Sequence, residues 1–559
     1  MEWQTSCIDW ADRLVAGESI IPPPIYPDQA EQALAIFKLL RVADLPGKPT
    51  FGECSDQWVF DFVAAIFGAY DADTGNQLIR EYFLLISKKN TKSTIAAGIM
   101  LTAVILCWRD DEEHLILAPT KEVADNSFKP AAAMVRADPE LSALFHVQDH
   151  VRTITHRVSR ASLKVVAADT DTVGGKKSGR ILVDELWLLG KKGTAAGMLM
   201  EATGGQVSRN EGWVIFLSTQ SEDPPAGVFR EKLNYYRQVR DGKIHDPKSL
   251  GVLYEFPPQM LADKAYLKPE NFYITNPNIG RSVSAEWLGD QLKRNQNNTD
   301  GTLQQFLAKH LNIEIGLALR SDNWAGADYW ERQARADITL SSIIARSEVI
   351  TVGVDGGGLD DLLGLAVVGR CRETRQWLVW CRAWAHPSVL SRRKEIAPRL
   401  HDFDAVGDLV LVNQIGEDVA EVASIVFQID QAGLLHEVGL DPAGIGAILE
   451  ALVAIGINSE KVVGVSQGWR MGGAIKTTER KLAEGGLIHA SQPMMDWCCG
   501  NAKVEPRANS ILITKQASGS AKIDPLMALF NAISLMSTNP ESLGGMDDYL
   551  NNGFFGLIG

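Results

Sequence analysis

A chain of 559 residues with 45% hydrophobic and 22% charged side chains has the balance of an ordinary globular protein with room for two or more cores. That balance excludes a disordered chain, a collagen-like fibre and a small disulfide scaffold. Its 55 Lys+Arg against 69 Asp+Glu give a formal net charge of −14, which excludes a wholly basic nucleic-acid coat but not a local basic groove. Basic residues do gather locally: Arg152, Arg157, Arg160, Lys164, Lys176, Lys177 and Arg180 share one stretch with only Asp169 and Asp171. The seven cysteines form no CxxC or zinc-spaced cluster and read as reduced, mostly buried thiols. The N-terminal segment lacks the basic start and apolar core of a signal peptide. The most apolar run, from Ile95 to Cys107, is too short to span a bilayer, so a cytoplasmic protein without membrane contact is expected.

In chain order, residues 1–80 read as a helical lead-in. From Glu81 to Thr219 short β-rich runs alternate with helical segments: strands at 81–86, 114–120, 163–168, 180–184 and 213–219, with helices from Lys92 to Trp108 and from about 121 to Val135. Such alternation predicts a mostly parallel sheet covered on both faces. Residues 220–345 are less regular, with Pro224-Pro225, Pro257-Pro258 and Asn276-Pro277-Asn278 turns and helical stretches near 284–297 and 301–312, and read as a lid or linker subdomain. At Glu348 a second pattern opens. Three consecutive strand-like runs (VITVGVD, LLGLAVVGR, QWLVWCRAW) precede helix 388–400, strand 407–412, helix 417–429, strand 436–441, helix 443–455, strand 461–466, helix 473–485 and a last apolar helix near Asp524. The expected class is therefore α/β with two domains: a mostly parallel sheet through residue 219, and a mixed sheet with an RNase-H-like order of elements over 346–545, with 546–559 as a tail.

Two groups of residues carry chemistry. After the first strand, Ser87-Lys88-Lys89-Asn90-Thr91-Lys92-Ser93-Thr94 leads into a helix, the parts of a phosphate-binding loop. Backbone N–H groups and the helix N-terminus would hold phosphates, Lys92 would reach the β- and γ-phosphates, and Ser93 would bind Mg²⁺. Ile86 and Thr91 stand where a GxxxxGK loop carries glycine, and a β-branched residue resists positive φ. Alone, the segment reads equally well as a solvated basic turn that caps a helix. The strand ending in Asp184-Glu185 alters that balance: Asp184 suits Mg²⁺, and Glu185 can polarise the attacking water. Ser218 and Thr219 end the next strand at the same carboxyl edge, where ligands bind in open α/β sheets, and could sense the γ-phosphate. Arg152, Arg157, Arg160 and Arg180 are candidates for the charge-neutralising arginine of phosphoryl transfer; the sequence does not choose among them.

In the second domain Asp355 ends the first strand, Asp441 ends a later one and Asp524 opens the final helix. Carboxylates gathered at one sheet edge repel unless a cation joins them, and two hard cations so held activate water for phosphodiester cleavage. Asp361 is a further candidate ligand, to be distinguished from Asp360. Each aspartate taken singly also fits a helix cap or a turn. His489 and Asn501 lie nearby in sequence, His489 equally readable as a structural histidine. Lys503, Arg507, Lys515 and Lys522 suit either DNA phosphates or a solvated face.

This pairing resembles the large terminase subunit of tailed bacteriophages over about Phe51 to Ile533. EYFLLISKKNTKS looks like that family's divergent Walker A, with Lys88 in its basic position and Thr91 in place of its usual glycine. VVAADTDTVGGKKSGRILVDELW is similar to its stretch into Walker B, which gives Asp184 and Glu185 their roles. Gln57 matches a glutamine that reads adenine, Ser218-Thr219-Gln220 a coupling motif, and Asp355, Asp441 and Asp524 the catalytic aspartates, with SGSAKIDPLMAL the most specific element. The resemblance implies ATP with Mg²⁺ at one site and two Mg²⁺ or Mn²⁺ at the other. It implies translocation of double-stranded phage DNA into a procapsid and cleavage of concatemers. The implied partners are the portal protein, a small terminase subunit and sister copies in a ring of five, in the host cytoplasm and transiently at the portal, outside the mature virion. Two rival readings remain: an ATP-binding adaptor with weak or absent turnover beside an active nuclease, and a host helicase-nuclease of DNA repair.

Overall fold

The computed structural model describes residues 3–167, 178–297, 302–315, 324–358, 360–394, 396–414, 416–442, 445–507, 510–515 and 522–543. The expectations for Asp169, Asp171, Lys176 and Lys177, for the SGSA run before Lys522 and for the 546–559 tail lie outside these residues. So do the side chains of Lys503, Arg507 and Lys515. The chain divides into two compact units, Met1–Ile315 and Gly316–Gly559.

The first unit is built on eight strands: β1 (Glu81–Leu85), β2 (Glu113–Ala118), β3 (Phe145–Gln148), β4 (Thr153–His156), β5 (Ser162–Ala167), β6 (Ser178–Val183), β7 (Trp213–Ser218) and β8 (Ser249–Leu253). Their order is β8-β1-β7-β6-β2-β5-β4-β3. The run from β8 to β5 is parallel, and β4 and β3 extend it as antiparallel strands. The parallel strands are continuous apolar runs because both faces are covered. Helix Lys92–Ile105 is buried almost all round. Helix Gly227–Arg240 seals the other face with Val228, Phe229, Leu233 and Tyr236 against Phe83, Leu85 and Phe216. The lead-in is helical, with Trp10–Ala16, Pro27–Leu39 and Gln57–Phe67.

Residues 220–315 belong to this unit. β8, a wholly buried SLGVL strand, pairs with β1 at the sheet edge, and helices Ala285–Gln296 and Thr302–Leu311 follow. Residues 324–345 fall in the second unit.

The second unit contains β9 (Ala334–Arg335), β10 (Ser347–Gly356), β11 (Leu363–Cys371), β12 (Trp377–Ala385), β13 (Leu409–Leu411), β14 (Leu435–Leu440), β15 (Val462–Gly464) and β16 (Leu487–Ala490). They form one sheet, β9-β16-β12-β11-β10-β14-β15, with β13 alongside β12. The core β12-β11-β10-β14-β15 has an antiparallel meander followed by two strands parallel to β10, which is the RNase-H-like order. Helix Asp524–Met536 lies across one face among Leu526, Leu529, Phe530 and Ile533, and helix Glu417–Gln431 packs Val422, Val426 and Ile429 on the other. The helix expected over 388–400 is two helices, Pro387–Arg392 and Ala397–Ala405. Pro398 sits in the first turn of the second, where its missing N–H costs nothing. Among the described residues no helix is long and apolar enough to cross a membrane.

Candidate functional site

In the first unit, the loop between β1 and helix Lys92–Ile105 lies at the carboxyl edge of the sheet beside the end of β6. Lys89 and Thr91 have φ of +74° and +58°, so the loop bends where glycine would ordinarily be needed, at a cost of roughly 1–3 kcal/mol per strained residue. The bend is held from outside. Asn278 donates from Nδ2 to the Asn90 carbonyl (3.0 Å) and to Thr91 Oγ1 (2.9 Å), its own N–H reaches Asn90 Oδ1 (3.1 Å), and Asn90 donates to Asn276 Oδ1 (2.8 Å). The Asn276-Pro277-Asn278 turn, which the sequence presents as mere punctuation, is therefore the clasp of this loop. Trp58 completes it by donating to Asn278 Oδ1 at 2.8 Å.

Lys92, Ser93, Asp184 and Glu185 converge as expected. Ser93 Oγ donates to Asp184 Oδ2 at 3.1 Å, as does Ser127 at 2.9 Å. The Lys92 ammonium pairs with Glu185 and lies 3.9 Å from Asp184. Burial raises the pKa of the fully enclosed Asp184, with the Lys92 charge opposing. At Glu185, burial acts in the same sense but is outweighed by Lys92 and by the Trp187 N–H, which hold the carboxyl below its ordinary range. Glu185 itself sits at φ +53°, so its carboxylate leaves the strand line and turns to Lys92. Ser218 Oγ accepts the Trp187 N–H (3.1 Å) and donates to the Thr219 carbonyl (2.7 Å). Of the two expected coupling residues, Ser218 thus touches the turn that carries Glu185, whereas the Thr219 hydroxyl donates to the Gln220 carbonyl (3.3 Å).

Lys88 and Lys89 are exposed and Ser93 and Thr94 half-buried. A cavity of about 280 Å³ adjoins the loop, lined by Phe51, Cys54, Val59, Thr91, Thr94 and Asn278 among others. Gln57, the expected adenine reader, does not line it: the side chain is at the surface and donates to Asp61 (2.8 Å). Of the candidate arginines, Arg152 is paired with Asp125 and Arg160 with Asp111. Arg180 lies in the first half of β6, four residues and so roughly 13 Å along the strand from Asp184. Arg157 is exposed.

In the second unit, Asp355, Asp361, Asp441 and Asp524 line one cavity of about 730 Å³. Register explains the first pair: Val354 of β10 is opposite Leu440 of the parallel β14, so the next residue of each strand emerges at the same edge. Asp524 is delivered by its helix, whose first turn lies against Gly364 and whose Cβ is 3.4 Å from the Cβ position of Gly356. Asp361 and its neighbour are told apart by their partners. Asp361 faces the cavity and pairs with Lys522, whereas Asp360 pairs with Arg393 at 3.2 Å. Lys522, expected either to meet DNA phosphates or to lie on a solvated face, is instead buried, 2% exposed. Among the described residues the lining holds carboxylates and no thiolate or imidazole, the donor set of a hard divalent cation. Among the described residues no group of three or more acidic, histidine or cysteine side chains gathers closely enough for one ion.

His489 takes no part. It is buried in β16, stacked on Trp330 at 3.8 Å, with its ring nitrogens 2.8 Å from the Ala490 and Trp330 carbonyls. Asn501 donates to the Lys522 carbonyl (3.0 Å) and so braces the approach to Asp524. Lys309, which the sequence offered only as part of a helix, is buried beside Trp187.

Residues 58–237 match the family described as Terminase large subunit, ATPase domain. The large terminase subunit of Enterobacteria phage HK97 is 22% identical over 506 residues, covering 89% of this chain and 93% of that protein. The terminase large subunit of Lactococcus phage p2 is 23% identical over 479 residues, covering 82% of each. Among solved structures, the HK97 bacteriophage large terminase aligns with a TM-score of 0.46 at 20% identity, covering 91% of this chain and 99% of that one. Over residues 58–237 the chain thus matches the ATPase-domain family of terminase large subunits, and over most of its length it is similar to bacteriophage terminase large subunits.

Proposed function

We propose that this chain is a DNA-packaging motor and nuclease: it hydrolyses ATP to drive double-stranded phage DNA into a procapsid and cuts concatemeric DNA. The observation that carries the reading is the cluster of Lys92, Ser93, Asp184 and Glu185 at one sheet edge. The loop's N–H groups and Lys92 would bind the triphosphate, with the base in the adjoining cavity. Ser93 and Asp184 would hold Mg²⁺, which when bound neutralises phosphate charge. Lys92 now pairs with Glu185; an incoming phosphate competes for that ammonium and releases Glu185 to orient water.

The second cavity supports the nuclease half. Asp355, Asp361, Asp441 and Asp524 would hold two Mg²⁺ or Mn²⁺, which activate water and stabilise the leaving oxygen. The portal protein, a small terminase subunit and a ring of five copies complete the proposed machine, acting in the host cytoplasm and at the procapsid portal.

Phosphate release stimulated by intact duplex DNA tests the motor. Lys92→Ala is expected to lower it by about a hundredfold or more, since both charge and positioning are lost. Equal rates in both proteins would leave only an ATP-binding adaptor, and strand separation on forked duplexes would point to a helicase. For the nuclease, plasmid cleavage in Mn²⁺ or Mg²⁺ is expected to be lost in Asp355→Asn; undiminished cutting refutes the assignment.

A further inference from the structure

Helix Thr302–Leu311 carries a charged residue that the steps above leave unused. Lys309 is only 5% exposed, whereas a lysine ordinarily keeps its ammonium in water. Its Nζ stands 3.0 Å from the centroid of the Trp187 ring, donates to the Gln220 carbonyl at 3.1 Å and lies 3.6 Å from the Glu222 carboxylate. The carbonyl of the same residue accepts the Lys88 N–H at 2.7 Å. One residue therefore touches the phosphate loop, the segment after β7 and the turn after β6. Trp187 passes the contact on: its Nε1–H donates to Glu185 Oε2 at 2.6 Å, and the other Glu185 oxygen pairs with Lys92.

An ammonium over an indole is held by the ring quadrupole, and it draws electron density from the ring, which strengthens N–H donation. We infer that Lys309 is a positioning residue for Glu185: it fixes Trp187 through its ring face, and the indole N–H fixes the carboxylate that would align the attacking water. The inference rests on the ATPase reading above and deepens it. Through Lys88 N–H and the Gln220 carbonyl, the same helix is bonded to the loop that would receive phosphate and to the segment expected to couple hydrolysis to movement.

The contact is expected to respond to pH. Burial takes the Lys309 pKa down to about 7, with Glu222 and Glu185 opposing and Lys88 adding to the fall. Those are the charged groups facing it; the adjacent His310, between Trp287 and Phe306, is kept neutral by burial, its pKa about 4. A lowered lysine pKa means that the ammonium is present below pH 7 and lost as pH rises through it.

The test compares ATP hydrolysis by wild type, Lys309→Met and Lys309→Arg, together with the Trp187 indole N–H resonance in ¹⁵N-indole-labelled protein, assigned with Trp187→Phe. Methionine fills the volume without charge; arginine keeps the charge at every accessible pH. Lys309→Met is expected to lower kcat about tenfold while KM for ATP stays within about twofold, the pattern of a misplaced catalytic group rather than lost binding. Lys309→Arg is expected to restore most of kcat. Wild-type kcat/KM is expected to fall above about pH 7, and that limb to be missing from both variants. The indole resonance should titrate between about pH 6 and 8 in wild type and stay fixed in Lys309→Met. Unchanged kcat in Lys309→Met, a change in KM alone, or an indole resonance indifferent to the substitution overturns the proposal. If wild type shows no turnover at all, the ATPase reading fails instead, and the resonance still decides whether Lys309 holds Trp187.

Discussion

Glu185→Gln is expected to lower ATP hydrolysis by about a thousandfold, within the range for removing a positioned general base, while ATP binding tightens. Both halves follow from the same geometry. In the proposed reading the carboxylate orients water: Trp187 fixes one of its oxygens, and the other, paired with Lys92 here, is freed when phosphate takes that ammonium. It also competes with the triphosphate for the Lys92 ammonium, so replacing it with a neutral amide removes a rival and a like charge at once. Asp184, 3.9 Å from Lys92, remains as counter-charge, which keeps the buried lysine from being stranded. Single-turnover hydrolysis and binding of a fluorescent ATP analogue separate the two effects. Hydrolysis within tenfold of wild type, or weakened binding, contradicts these roles.

The loop proposed to bind phosphate was legible as a strand–loop–helix because its parts are contiguous: a buried strand, Lys92-Ser93 and a helix start are neighbours in sequence. What kept Thr91 compatible with such a loop was not legible. The restraint comes from Asn278, 187 residues away, and a turn of asparagines and proline looks alike whether it faces water or clasps another segment. Lys309 was hidden for the same reason: its helix period is visible, but its burial depends on Trp187, 122 positions earlier in the chain. β8 escaped notice because SLGVL is five residues between Pro-containing turns, too short for periodicity to distinguish strand from loop. Helix Gly227–Arg240 begins just after Pro224-Pro225, and its many charged residues obscured the Val228–Phe229–Leu233–Tyr236 stripe that packs on the sheet. In the second unit the three aspartates stood out because each follows or opens an apolar run, and strand register then brought Asp355 and Asp441 together. The Lys522–Asp361 pair was not legible, since a lysine among polar residues carries no sign of the 2% exposure that it has in the fold.

Gly353→Ala is expected to destabilise the second unit by about 3 kcal/mol or more, the upper part of the range for overpacking a core, although it adds one methyl group. Gly353 lies in the centre of β10, and a Cβ there would stand 2.0 Å from the Ala528 carbonyl oxygen and 2.5 Å from the Ala532 nitrogen. Both are backbone atoms of the buried Asp524–Met536 helix, so no side chain can rotate away and the helix itself must move. It is anchored against that movement: Thr351 donates to the Ala532 carbonyl at 2.9 Å, and Asn531 donates to the Val354 carbonyl at 2.9 Å. The same displacement carries Asp524, at the N-terminus of that helix, away from Asp355, so cleavage should fall further than the loss of folded protein explains. Gly473→Ala is the matched control. It lies in helix Gly472–Ala483 with nothing within 4 Å of its Cβ position, and is expected to change stability by less than about 1 kcal/mol, in the stabilising direction. Urea unfolding followed alongside plasmid cleavage distinguishes the two. If Gly353→Ala unfolds at the wild-type midpoint, the helix does not lie on β10 as described, and the placement of Asp524 beside Asp355 falls with it.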